Sequence, residues 1–150
     1  MPNFRFLLIA LCATWLAGFA LPVFAGEPIA IVTERNSTIN SISLESLKLV
    51  YLRKLELDNN NNRWIPLNLP SSHELRQAIS IMLFKKRPAD MEDYWNEQYF
   101  QGISPPKVLA SEEAILRFVA ITPGAIGYVH KRLVDDRVKV LTVISIPDEN

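Results

Sequence analysis

The sequence predicts an α/β fold, a mixed sheet flanked by about four helices in one domain. Three observations predict it. Short β-type runs alternate with amphipathic helical stretches from residue 29 onward. The 150 residues suffice for one domain of ordinary size and not for two. Apolar residues make up 49% of the chain and charged residues 21%, which supports a hydrophobic core and excludes a disordered polymer.

Residues 1–25 read as a secretory signal. Arg5 is their only charge, and Phe6–Phe19 is an apolar run interrupted by Cys12, Thr14 and Gly18. Pro22 ends the run, and Val23-Phe24-Ala25 offers small residues at −3 and −1, so cleavage is expected after Ala25. An uncleaved anchor is the rival reading, because the run approaches the roughly 20 residues of a membrane span. Pro22 and the Ala25 site favour cleavage. Leu11 stands before Cys12 where a lipoprotein signal places a small residue. Removing 25 of 150 residues leaves a domain of 125, residues 26–150, without the single Cys. Such a domain folds in an oxidising compartment without disulfides. Loss of Arg5 leaves 15 cations against 16 anions, a net charge of −1.

The elements follow in order. Ile29–Thr33 is nearly all apolar, as in a strand covered on both faces, and Glu34–Asn40 is a polar turn. Ser43 is placed to cap a helix with Leu44, Leu47, Val50 and Tyr51 at helical spacing, ending near Leu55–Leu57. Asp58 and four asparagines, 59–62, form a loop. Trp64–Leu69 is a second strand, whose Pro66 implies an edge position or an early end. Ser71 and Glu74 fit a capping box at the start of a second helix with Leu75, Ala78, Ile79, Met82 and Leu83 inward. Lys85-Lys86-Arg87 suits the helix dipole at its end, and Pro88 stops it. Asp90 is placed to cap a third helix carrying Met91, Tyr94, Trp95 and Tyr99. Gly102 and Pro105-Pro106 mark a loop, and Ser111 caps a fourth helix with Ile115, Phe118 and Val119. Pro123-Gly124 is a turn between this helix and a short strand, Ala125–Val129. The β-branched Val138–Ile146 is the last strand.

The same residues bound the function. Sixteen cations balance sixteen anions, so the basic surplus of a nucleic-acid binder is missing. One Cys and two His give no structural zinc set, and no cofactor motif occurs. Ser72 and His73 are adjacent and no Gly-x-Ser-x-Gly elbow exists, so a nucleophilic enzyme is not expected. The informative segment is Ser71–Arg76. A helix N-terminus presents free N–H groups and partial positive charge to an oxyanion. Ser71, Ser72 and His73 add donors, and Arg76 adds a fork that grips two oxygens. An ordinary cap with a solvated Arg76 is the plainer alternative, and Glu74 would repel an anion. His130-Lys131-Arg132 reads as a solvated loop, with a docking patch as the alternative. Glu112 and Glu113 complement a helix dipole, and Asp135 and Asp136 read as turn residues. Trp64, Tyr94, Trp95, Tyr99 and Phe100 read as core packing rather than a sugar-stacking face.

Tyr94-Trp95, Phe100-Gln101-Gly102, Pro105-Pro106 and Pro-Gly-Ala-Ile-Gly-Tyr-Val at 123–129 form one string. With Ser-Leu-Glu-Ser-Leu at 43–47 and Asn68-Leu69-Pro70 ahead of Arg76, residues 29–141 resemble the short phosphate-binding-like proteins of the type II periplasmic binding-protein superfamily. The resemblance implies a single lobe of that fold, in an exported periplasmic protein that is not an enzyme. It implies a small oxyanion such as phosphate as ligand, matched to Ser71–Arg76. It further implies a membrane permease, a sensor or a second copy of the chain as partner. Short relatives tend to carry Gly-Ser, two residues, then Arg; Ser72 and His73 stand at the Gly and Ser places here, and Arg76 matches. A lobe kept for protein interaction or sensing, with ligand binding lost, is the alternative. Within the string, Gly124 is expected to allow a tight turn, and Gly127 a close approach of neighbouring backbone.

Overall fold

The computed structural model describes residues 26–146; the expected signal, 1–25, and residues 147–150 lie outside the described residues. Ile29–Glu34 forms strand β1 and lies between two neighbours, which is why its run is apolar on both faces. Around it are β2 (Ile65–Asn68), β3 (Lys107–Val108), β4 (Ala125–His130) and β5 (Val138–Ile144), in the order β3-β2-β4-β1-β5. β1 runs antiparallel to both β4 and β5, whereas β2 runs parallel to β3 and β4. The sheet is therefore mixed, as expected, and four helices accompany it: α1 (Leu44–Tyr51), α2 (Glu74–Phe84), α3 (Glu92–Phe100) and α4 (Glu112–Ile121).

Apolar faces of α1, α2 and α4 close the core. Leu47 and Val50, Leu75 and Ile79, and Ile115, Leu116 and Val119 join Ile31, Leu67, Ile126 and Val129 of the sheet. The expected caps Ser43 and Ser111 accept from the amides of Ser46 and Ala114, at 3.1 Å each. Glycine is required at two positions. Gly124 has φ +79, and a Cβ there would stand 2.2 Å from the Arg63 carbonyl oxygen. At Gly127 a Cβ would stand 2.5 Å from Cγ2 of Ile115, so α4 packs onto β4 through that gap.

Several expectations are corrected. α1 stops at Tyr51, because Lys54 and Leu55 both donate to the Leu49 carbonyl and Arg53 turns left-handed at φ 61. β2 is not an edge strand; β3, which the sequence did not suggest, covers it. Pro66 is tolerated because β2 pairs with β4 only at Ile65 and Pro66 and with β3 only at Leu67 and Asn68. The cap of α2 is His73 rather than Ser71. A 3-10 turn, Pro88–Met91, precedes α3. The aromatic residues do not form one packed set: Trp64 is buried, Tyr94 and Trp95 are half-buried, and Tyr99 and Phe100 are 70% and 89% exposed. Gly127 makes room for a side chain rather than for backbone. Among the described residues no helix is long and apolar enough to cross a membrane.

Candidate functional site

β2, β4 and β5 all point one way, opposite to β1. The N-terminus of α2 follows β2, and that of α4 follows β3, so both open at the same end of the sheet. Ser71, Ser72, His73 and Arg76 are all at that end, but the structure divides them. Ser71 and Ser72 are exposed. His73 turns its ring onto the helix, and its Nδ1 accepts from the Leu75 amide at 3.2 Å. Its Nε2 lies 3.9 Å from Glu112. The first helical carbonyl bond runs from Gln77 to His73. The remaining first-turn amides, on Glu74 and Arg76, are the donors that a helix start leaves over.

Arg76 takes the other direction. It is half-buried, and its Nε is fully buried without a hydrogen-bond partner. No salt bridge joins it to a carboxylate among the described residues. Burial pulls its pKa down, opposed by the neighbouring phenols of Tyr128 and Tyr51. Those phenols line the C-terminal end of β2. Tyr51 donates to the Leu67 carbonyl at 2.9 Å, and Tyr128 donates to Asn68 Oδ1 at 3.1 Å while accepting from the Leu69 amide at 3.2 Å. Burial raises the Tyr128 pKa to about 12, so its hydroxyl keeps its proton at neutral pH.

The other side of α2 is acidic. His130, read from sequence as part of a solvated loop, is buried at the end of β4, a correction. Its amide donates to Glu112 Oε2 at 2.6 Å, and its Nδ1 lies 2.9 Å from Glu112 Oε1. A carboxylate only accepts, so Nδ1 carries the proton. Nε2 lies 3.4 Å from both Glu27 and Glu74. Glu112 thus does more than complement a dipole: it ties α4 to β4. Among the described residues no group of three His, Cys, Asp or Glu side chains is placed to hold a metal ion.

The mixed five-stranded sheet with its helices has the fold of part of solved ABC transporter substrate-binding proteins. Three solved structures carry it. A phosphate ABC transporter substrate-binding protein with bound phosphate from Clostridium perfringens superposes with a TM-score of 0.65 at 18% identity, covering 78% of this chain and 45% of that one. An ABC-type phosphate transport receptor from Vibrio cholerae gives 0.62 at 16% identity, over 78% and 46%. PstS from Borrelia burgdorferi gives 0.57 at 15% identity, over 79% and 47%. The chain spans less than half the length of these neighbours. No family model and no curated protein matches the sequence.

Sequence reading missed Tyr51 and Tyr128 as surroundings of Arg76, and Glu112 as the partner of His130. Tyr51 sat in an apolar helical stripe and Tyr128 inside a strand, so nothing local distinguished them from core.

Proposed function

We propose that this chain is a non-enzymatic, exported solute-binding lobe that takes phosphate or another small oxyanion at the first turn of α2. The observation that carries the reading is Arg76: a half-buried cation with a buried, unpartnered Nε and, among the described residues, no carboxylate counter-charge. A charge removed from water without a partner is costly, and an oxyanion would supply the missing acceptor. In this reading Arg76 provides the charge, and the first-turn amides with the Ser71 and Ser72 hydroxyls provide donors. His73 caps the helix rather than donating. Export to the periplasm, with cleavage after Ala25, and a permease, sensor or second copy as partner belong to the same proposal. Calorimetric titration with inorganic phosphate at low salt tests it. Saturable heat is expected for the unaltered chain and none for Arg76→Met. Absence of heat at millimolar phosphate in both removes the reading.

A second reading has its own support: Glu27, Glu74 and Glu112 crowd the neighbouring side of the helix start. They favour an interaction or sensing lobe without a ligand, which a folded, phosphate-blind chain would leave standing.

A further inference from the structure

A second cleft lies at the opposite end of β2, where Arg53, Arg63 and Lys107 line a cavity of about 180 Å³ walled by Trp64, Pro105 and Pro106. No acidic residue lines it. Each cation is held in its own way. Arg53 donates from Nη1 to the Trp64 carbonyl at 3.4 Å and forms no ion pair among the described residues. Arg63 is loosely tied to Glu56 at 3.8 Å, and the Lys107 ammonium rests 5.2 Å over the Phe118 ring. Arg53 is the left-handed residue, φ 61, that ends α1, and this places its side chain at the mouth of β2. An arginine without a carboxylate partner among the described residues, lining a cleft that no acidic residue lines, is open to an anion.

We infer that this cleft binds a small organic anion with a carboxylate head and an apolar body. Guanidinium forks match a carboxylate in pairs. The two prolines carry no N–H, so they and the Trp64 edge offer an apolar wall instead of further donors. That wall favours an organic body over bare inorganic phosphate. The cavity admits a single ring or a short chain. The inference is independent of the site at α2.

Benzoate is the probe, titrated into the full chain at low salt and followed by the Trp64 indole resonance in NMR. A saturable shift is expected with benzoate, with the uncharged benzamide giving none. Arg53→Gly removes the cation at a left-handed position that glycine adopts freely, so its fold is retained, and affinity for benzoate should fall by about tenfold or more. Arg76→Met should leave benzoate binding unchanged. Equal binding of benzamide, unchanged affinity in Arg53→Gly, loss of binding in Arg76→Met, or no saturable shift would each overturn the assignment.

Discussion

Arg76 holds its guanidinium near two phenols instead of a carboxylate, and its stability behaviour follows from that. Replacing it with methionine removes a desolvated charge and keeps the stem that packs. Thermal unfolding in phosphate-free, low-salt buffer should therefore find Arg76→Met no less stable than the parent. Phosphate at about 100 times its dissociation constant should add about 2.7 kcal/mol to the parent and nothing to the variant. The glycines give an opposite expectation. Gly127→Ala pushes a methyl into Ile115 and should cost about 1–3 kcal/mol in urea unfolding. Gly124→Ala should cost more, because a positive φ and a carbonyl oxygen of the fixed chain both oppose the methyl. The need for small residues at 124 and 127 was legible in the sequence. The identity of what approaches Gly127 was not, since Ile115 comes from the preceding helix, whose facing is decided only by packing.

At the scale of elements, helix starts were legible where one polar residue preceded a clear stripe. Ser43 and Ser111 cap as expected, and Ser111→Ala should destabilise by about 1 kcal/mol in urea unfolding, with α4 fraying first. At α2 the pattern pointed to Ser71 with Glu74, whereas His73, not among the usual cap residues, caps the helix through its ring Nδ1. α3 failed differently. Its aromatic residues recur at helical spacing, yet no residue within the helix is buried, and it holds to the body through the Tyr94 hydroxyl on the Leu52 carbonyl at 2.7 Å. Periodicity records a face; it does not record whether anything covers it. β3, two residues long, leaves no periodic trace at all.

Across the whole molecule, the fold class was legible because alternation of strand and helix shows in the hydrophobic pattern along the chain, while strand order was not, because pairings such as β1 with β4 join residues about a hundred positions apart. A shorter link is electrostatic. Glu113 on α4 accepts from Arg137 at 2.9 and 3.0 Å and from Arg117 at 2.8 Å, and these bonds lower its carboxyl from an ordinary 4.5 to about 2. A carboxyl lowered on folding stabilises the native state above its unfolded pKa, and that contribution fades as pH falls through the folded one. Stability should accordingly decline between about pH 4.5 and 2, and Arg137→Ala should flatten the decline in denaturant titrations run across that window. The neighbouring β1–β5 ladder has a mechanical meaning. Ile29 lies opposite Ile144, so the outermost residues of these two strands sit side by side where the α2 and α4 starts also open. Tension applied through both strands would load that ladder as a zipper, one rung at a time, rather than in shear. The rim nearest the α2 and α4 starts would yield first, and the interior would feel the pull last.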